Sequence, residues 1–448
     1  MNSLILVNLP IQSYLQDEIG TTNYNPPLGL ISIGTWLDFN GYEPHILDLS
    51  HSRWSIHRLI DYIIEINPLL IGISVYTENI GMALSTAEII KRNCPNVLIV
   101  FGGPHPTIAP EDVISHPSVD FVIRQEGEAA MLELAEAIRS NEKLIEYGDI
   151  KGLIFKRENV TIKNKLRGKI ADLDLLPLPK RELAHFSEYG AYSGVVNIST
   201  SRGCPGKCIY CSATALSGAT YRTRGIENIF LEIVLLKMTL ENPIAKIYIV
   251  DDTFTAIPNR VIEFIALIFQ YKQNIRWHCE SRIDVMNEDL IEKMAKSGCV
   301  MIQYGIESGS QDVLDKIEKG MELNKAREVI DFTYRNNIIP CLSFMVGHYC
   351  DTIETMEETH LFMKEMFHKY KAEMMLSFNT PFPGTWQYIN RDKLGIRLVI
   401  NDYKKFTLID PVVETENFTL ADQRNIFFKS TKYMGNLTKV IYQTFSTK

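Results

Sequence analysis

Lysine-rich and arginine-rich runs are absent, and 46 basic side chains face 54 acidic ones, for a formal net charge of -8. That balance excludes a general attraction to nucleic acid or to an anionic membrane, and leaves a small molecule or peptide as the expected partner. No apolar stretch is long enough to cross a bilayer, so no membrane span is expected. Internal repeats and low-complexity segments are missing. The opening MNSLILVNLPIQ has no basic leader and no small-residue cleavage site, so it reads as a first strand, and the expected localisation is cytoplasmic. Cysteine is sparse too: eight in 448 residues, too few and too dispersed for a disulfide framework. Five of them (Cys94, Cys279, Cys299, Cys341, Cys350) stand alone, as small buried hydrophobes do.

What is present is an ordinary globular composition, 46% hydrophobic and 22% charged, in a chain long enough for at least two domains. Residues 1–140 alternate strand-like and helix-like segments: LILVNL, EPHILDL, LLIGISVY, VLIVFGGP and DFVIRQEGE against PPLGLISIGTWLDFNG, HRLIDYIIEIN and NIGMALSTAEIIKRN. This pattern predicts an α/β fold, a doubly wound parallel sheet of Rossmann-like type, with ligands at the carboxyl ends of its strands. Residues 141–190 read as a hairpin, KGLIFKRENVTIKNK, and a proline-bearing linker. A second alternation over 191–390 supplies six strand-helix units, which suit a partial (β/α)6 barrel of TIM type with its site at the strands' C-terminal ends. Residues 391–448 are a small C-terminal region expected to be mainly helical.

The stretch TSRGCPGKCIYCS follows the first barrel strand and crowds Cys204, Cys208 and Cys211 into one loop. Three thiolates at C-x3-C-x2-C can hold three corners of a cubane 4Fe-4S cluster and leave the fourth iron to a non-protein ligand. A structural zinc site needs a fourth Cys or His, and the nearest, His278 and Cys279, are far along the chain.

The motif and its setting resemble the radical S-adenosylmethionine (SAM) enzymes across the whole barrel. The resemblance implies that the open iron chelates the amino and carboxylate groups of SAM, and that an electron from the cluster cleaves it to methionine and a 5′-deoxyadenosyl radical. It further implies SAM contacts at Tyr210 beside the adenine, at Asp251 near the methionine amino group, and at Ser281 and Arg282 by the carboxylate. Glu307 and Ser308 would meet the ribose, Gly347 would admit the adenine to the backbone, and Pro381 in NTPFPGT would close the barrel. Where relatives read Gly-x-Pro-Gly-Glu this chain has Gly347-His348-Tyr349-Cys350-Asp351. His348, Tyr349 and Cys350 are candidates for a substrate pocket, with loop drift as the bland alternative.

The front domain resembles the cobalamin-binding domain of one large radical SAM class, against the alternative of a generic nucleotide-binding sheet. The resemblance implies cobalamin contacts at Pro27, Leu28, Ser74, Tyr76, Thr77, Asn79, Gly102, Gly103, Pro104, His105, Gly127 and Glu128, the glycines letting a bulky corrin approach. The Asp-x-His-x-x-Gly motif is absent, since QSYLQDEIG holds no histidine, and the implied cobalamin is base-off without a histidine ligand. Tyr76, Thr77 and Asn79 would face its lower side; His105, in a proline turn, suits a structural role better than cobalt ligation.

These implications converge on a cobalamin-dependent radical SAM methyltransferase (class B-like) that acts on an unactivated carbon of a small molecule or peptide. One SAM would remethylate cob(I)alamin and another would supply the radical, with a flavodoxin- or ferredoxin-type electron donor. The rivals are a cyclase, oxidase or rearrangement enzyme that keeps both cofactors, and a non-catalytic cobalamin or iron-sulfur sensor.

Overall fold

The computed structural model describes residues 2–11, 26–50, 54–140, 146–158, 160–184, 195–239 and 244–434. They form two compact units that divide between residues 184 and 195.

In the first unit, β1 (Ser3–Asn8), β2 (Glu43–Asp48), β3 (Leu70–Ser74), β4 (Ile99–Gly102) and β5 (Phe121–Ile123) run parallel in the order β2-β1-β3-β4-β5. Both faces of this sheet are covered, which is why Leu4 to Val7 read as a continuous apolar run with no exposed member. Helices Leu28–Phe39 and Glu128–Arg139 pack on it through Ile31, Leu37, Leu134 and Ala135. The strand order reverses between β1 and β3, so the crevice that such a sheet offers a ligand opens beside the segment after Ser74.

One expected boundary moves. The hairpin β6 (Leu153–Arg157) and β7 (Val160–Lys163) continues this same sheet antiparallel to β5, with Phe121 opposite Phe155 and Ile154 opposite Lys163. It covers an edge that would otherwise leave β5 backbone groups unpaired. The linker then folds back on the first helix, where Lys180 donates its N–H to the Thr35 hydroxyl (2.9 Å) and Ala184 joins the core. The first unit therefore runs well past the expected end at 140.

The second unit holds β8 (Val195–Ile198), β9 (Ser201–Arg202), β10 (Arg222–Thr223), β11 (Lys246–Ile249), β12 (Trp277–Ser281), β13 (Cys299–Glu307), β14 (Ile339–Val346) and β15 (Glu373–Phe378). Six of these form one parallel sheet in the order β8-β11-β12-β13-β14-β15, the arrangement of a partial barrel. Alternate residues pack against helices: Trp277 meets Phe254 and Phe264, the Tyr304 hydroxyl bonds that of Thr333, and Phe344 meets Phe362. By the two-residue period of a strand, Tyr248, His278, Glu280, Gln303, Ser343 and Ser377 lie on the opposite, inner face. The helical expectation for the C-terminal region is corrected among the described residues: β16 (Arg397–Leu398) and β17 (Val413–Glu414) pair antiparallel before a single α-helix, Leu420–Ser430. Apolar Ile396, Phe406, Val412 and Val413 make a small core for that ribbon, so it folds as sheet and turn.

Candidate functional site

The cysteine loop is set by the strands on either side of it. β9 and β10 pair antiparallel and fasten the two ends of the segment that carries Cys204, Cys208 and Cys211. Gly203 sits at φ +89°, and a Cβ there would collide with the Thr220 carbonyl, so the entry to the loop requires glycine. Asp251, at the end of β11, accepts hydrogen bonds from Thr200 N–H (2.6 Å), Ser201 N–H (3.1 Å) and both hydroxyls of these residues. This corrects the expectation for Asp251: its buried carboxylate is saturated by the chain and positions the loop. Asp252, one residue on, is exposed and acts electrostatically on Cys211 and Glu280, which makes it the aspartate available to a ligand.

Gly206 N–H donates to Cys204 Sγ (3.4 Å), the Thr253 hydroxyl lies 3.5 Å from the same sulfur, and Arg282 Nη1 lies 3.8 Å from Cys208 Sγ. Burial, reinforced by the charges of Cys208, Asp252 and Cys204, pushes the Cys211 thiol up to about 11, so loading a metal group here releases protons. The three cysteines influence one another, yet among the described residues no three Cys, His, Asp or Glu side chains converge on a single ion. Three thiolates close enough to act on one another's charge can supply three corners of a 4Fe-4S cluster, with Arg282 and Lys319 as cations beside Cys208.

The other strand ends sort into groups. The Arg282 guanidinium is held by Asp284 (2.9 and 3.2 Å) and by the Lys319 carbonyl (2.8 Å), which aims its remaining nitrogen at the cysteine loop. The Ser281 hydroxyl is 2.6 Å from that of Thr255 and buried. β13 has a register shift between Gly305 and Glu307, and Glu307 adopts φ +69°, a conformation that costs a non-glycine residue energy. The kink brings Glu307 to Lys319 (2.8 Å), itself 3.5 Å from the Tyr210 hydroxyl. Burial alone would lower the Lys319 ammonium, but Glu307 and Cys208 outweigh it and its pKa is raised. Lys319 was not singled out from the sequence; Glu-Lys-Gly after a short helix looks like a surface terminus.

Ser308 does not reach outward as expected. Its hydroxyl is 3.2 Å from that of Thr359 and accepts from Ser310 N–H, while Gly309 lies so close to Glu358 and Thr359 that no side chain fits. Gly347 also departs from expectation: the place of a Cβ is taken by the Gln423 side chain, not left open. The turn after β14 separates its three pocket candidates. His348 is buried against Tyr210, the Tyr349 hydroxyl donates to the Lys316 carbonyl (3.2 Å), and Cys350, pushed up to about 12 chiefly by burial, lies by Asp351 and Lys316. They therefore do not form one pocket. Asp351 accepts from Gly347 and His348 N–H (3.0 and 2.8 Å) and ties this turn down. Pro381 is buried in the turn after β15, where Asn379 donates to the Gly347 carbonyl and Gln387 N–H donates to the Ile209 carbonyl inside the cysteine loop.

In the first unit, Asn79 accepts from Tyr76 N–H (2.8 Å) and reaches the Leu9 carbonyl, and Thr77 bonds the buried His105, whose other nitrogen meets Asp112 at 3.4 Å. Thr77, Asn79 and His105 are thus internal braces, which corrects the expectation that the first two face a ligand. They leave Tyr76 exposed at the crevice after β3, with Glu78 half-buried two residues on. Of the three glycines expected to admit the corrin, Gly103 (φ +103°) abuts Ser74 and Val75 and Gly127 abuts Ile33, while a Cβ at Gly102 would meet only the Ile123 carbonyl, at 3.8 Å. Glu128 accepts from the Ser32 hydroxyl, while Pro27 and Leu28 begin the first helix and Pro104 a short one. Polar atoms at this edge that are buried without a hydrogen-bond partner among the described residues include Glu78 Oε2 and Gln125 Oε1. Burial pushes Glu78 up to about 7, giving it a proton to donate near neutrality. Such orphaned groups suit the amide-rich rim of a corrin. QSYLQDEIG lies outside the described residues.

Comparison with known proteins agrees with this division. Residues 21–135 match the family model of the B12 binding domain, and residues 198–363 that of the radical SAM superfamily. The chain is 32% identical over 423 residues to an uncharacterized methyltransferase of Pyrococcus horikoshii, covering 93% of this chain and 88% of that one. It is 24% identical over 400 residues to the anaerobic magnesium-protoporphyrin IX monomethyl ester cyclase of Rubrivivax gelatinosus, covering 87% and 70%. Its fold is shared with the radical SAM methyltransferase TsrM of Kitasatospora setae, solved with cobalamin and a 4Fe-4S cluster bound, at a TM-score of 0.73 and 19% identity over 88% of this chain and 79% of that one. No helix among the described residues is long and apolar enough to cross a membrane. With both domain types in their expected order and a full-length relative above 30% identity, the chain belongs to the radical SAM enzymes that carry an N-terminal cobalamin-binding domain.

Proposed function

We propose that this enzyme methylates an unactivated carbon of a small molecule or peptide. When bound, the 4Fe-4S cluster with SAM supplies a 5′-deoxyadenosyl radical, and cobalamin carries the methyl group. The observation that carries the reading is the loop of three cysteines, braced by Asp251 on the strand-end side of the inner sheet face, in a chain whose other unit presents the orphaned polar atoms of Glu78 and Gln125 at a ligand crevice. Cys204, Cys208 and Cys211 hold the cluster. Arg282, Lys319 and Asp252 offer charges to the methionine end of SAM. Substrate meets the inner face, where the Tyr248 hydroxyl donates to Glu280 and the Tyr248 ring stacks on His278 at 4.3 Å. No side chain needs to act as a base for methylation of such a carbon. Electrons come from a flavodoxin- or ferredoxin-type donor, and an oxygen-labile cluster suits the reducing cytoplasm.

A second reading keeps both cofactors but ends in ring closure, as the name of the Rubrivivax relative suggests for that protein. One anaerobic experiment separates the readings: reconstitute cluster and hydroxocobalamin, count cobalamin per chain, and follow SAM under reductant. Near-stoichiometric retention, a Co(II) spectrum without nitrogen splitting and formation of S-adenosylhomocysteine are expected. Cobalamin retention with 5′-deoxyadenosine but no S-adenosylhomocysteine favours cyclisation, and no retention sinks both.

A further inference from the structure

The inner face of the second sheet carries polar groups that neither cofactor accounts for. Its register sets Gln303 of β13 opposite Glu280 of β12, while on β14 Ser343 stands opposite Gly305, two residues further along the same face. Glu280 Oε1 accepts from the Tyr248 hydroxyl (2.5 Å), and the Tyr248 ring is stacked on His278. All five side chains are half-buried. Glu280 Oε2, His278 Nε2, the Gln303 amide and the Ser343 hydroxyl have no hydrogen-bond partner among the described residues, and none of these atoms is closed to solvent. Open polar groups that converge from three neighbouring strands are what a polar ligand completes. The charges on this face narrow its chemistry. Burial raises the Glu280 carboxyl, and Asp252 and Asp251 raise it further, with the Tyr248 bond opposing them. The nearby cations are engaged elsewhere: Arg282 with Asp284, Lys319 with Glu307, and Lys246, at the start of β11, under the influence of Glu373. Glu280 thus has a donor to fix it and no cation to balance it.

We propose that the substrate carries a primary ammonium group, received by Glu280 Oε2 with the Gln303 amide oxygen and the Ser343 hydroxyl beside it. The inference names a substrate class for the radical SAM reading and rests on that reading. A primary ammonium brings three donors and no acceptor, and a carboxylate flanked by an amide oxygen and a hydroxyl answers it with three acceptors. Burial pushes His278 down to about 4, so the neighbouring ring is neutral and does not repel a cation.

The test uses the full chain, loaded anaerobically with cluster, hydroxocobalamin and SAM and kept without reductant. Benzylammonium, benzyl alcohol and benzoate, probes of like size and different charge, are titrated near neutral pH by ligand-observed NMR. Benzylammonium should bind about 10- to 100-fold more tightly than benzyl alcohol, and benzoate more weakly than either. Glu280→Gln keeps the shape and the Tyr248 bond, and should abolish that preference at unchanged iron, cobalamin and SAM content. Tyr248→Phe leaves the carboxylate in place and should retain the preference, whereas Gln303→Leu should weaken benzylammonium alone, by about 2- to 10-fold. Three results overturn the proposal while leaving the radical SAM reading intact: equal binding of benzylammonium and benzyl alcohol by wild type, a preference that survives Glu280→Gln, or no binding of any probe. Loss of cluster or SAM from Glu280→Gln also overturns it, by showing that the carboxylate serves a cofactor. Failure of the wild type to load cluster and SAM overturns the functional reading, and the proposal with it.

Discussion

Asp251 and Asp351 perform one task at two places: each buries a carboxylate to collect backbone N–H groups from a loop that must keep its shape. The cost of that burial differs from the benefit of the bonds, and Asp351 shows by how much. Burial pushes it from 3.8 to about 6, although Thr355, His348 and Gly347 all donate to it. Because the folded value is the higher one, its favourable contribution is complete below about pH 4 and is lost as pH rises through about 6. Asp351→Asn keeps an oxygen for both N–H groups and cannot ionise. The stability difference between Asp351→Asn and wild type should therefore shift in favour of Asn by on the order of 2 kcal/mol between pH 4 and pH 7. Denaturant unfolding of the apo chain at both pH values measures it, and a pH-independent difference would show that the carboxylate is not the titrating group.

At the scale of the element, β13 carries the strain that builds the site. Its register shift and the positive φ of Glu307 direct a carboxylate onto Lys319, both largely buried. Lys319→Met leaves that carboxylate without its cation and should cost about 3–5 kcal/mol, whereas Glu307→Gln with Lys319→Met should recover much of the loss. Equal destabilisation by the single and double variants would refute the pairing. This element also marks how far the sequence could be read. The cysteine spacing and the places of Ser281, Glu307 and Gly347 at strand ends were legible because they lie in short local patterns, whereas Gln423 filling the space beside Gly347 was not, coming from a helix far along the chain. The partner of Glu307 was not, because it arrives twelve positions later, at the end of a short helix, with nothing in Glu-Lys-Gly to announce burial. Asp251 and Asp252 were inseparable for a different reason: which of two adjacent carboxylates turns inward depends on strand parity at β11. Ser308 was misjudged because its partner, Thr359, belongs to a helix fifty-one residues away.

At the scale of the whole molecule, two parallel sheets each present the carboxyl ends of their strands, and each is completed by its own cofactor. The first sheet has its topological reversal beside Tyr76 and Glu78; the second has its cysteine loop after β8. The two compact units have separate cores, so a ligand bound by one stabilises that unit directly. A ligand at one hundred times its dissociation constant adds about 2.7 kcal/mol to the unit that holds it. Calorimetry of the full chain should then show two transitions, with cobalamin raising one and SAM, on the cluster-loaded protein, raising the other. Glu78→Gln should reduce only the cobalamin-induced shift and leave the SAM-induced one unchanged, since Glu78 follows β3 of the first sheet. If both ligands instead raise a single transition, the units unfold together, and cobalamin would then protect the cysteine loop against loss of its cluster.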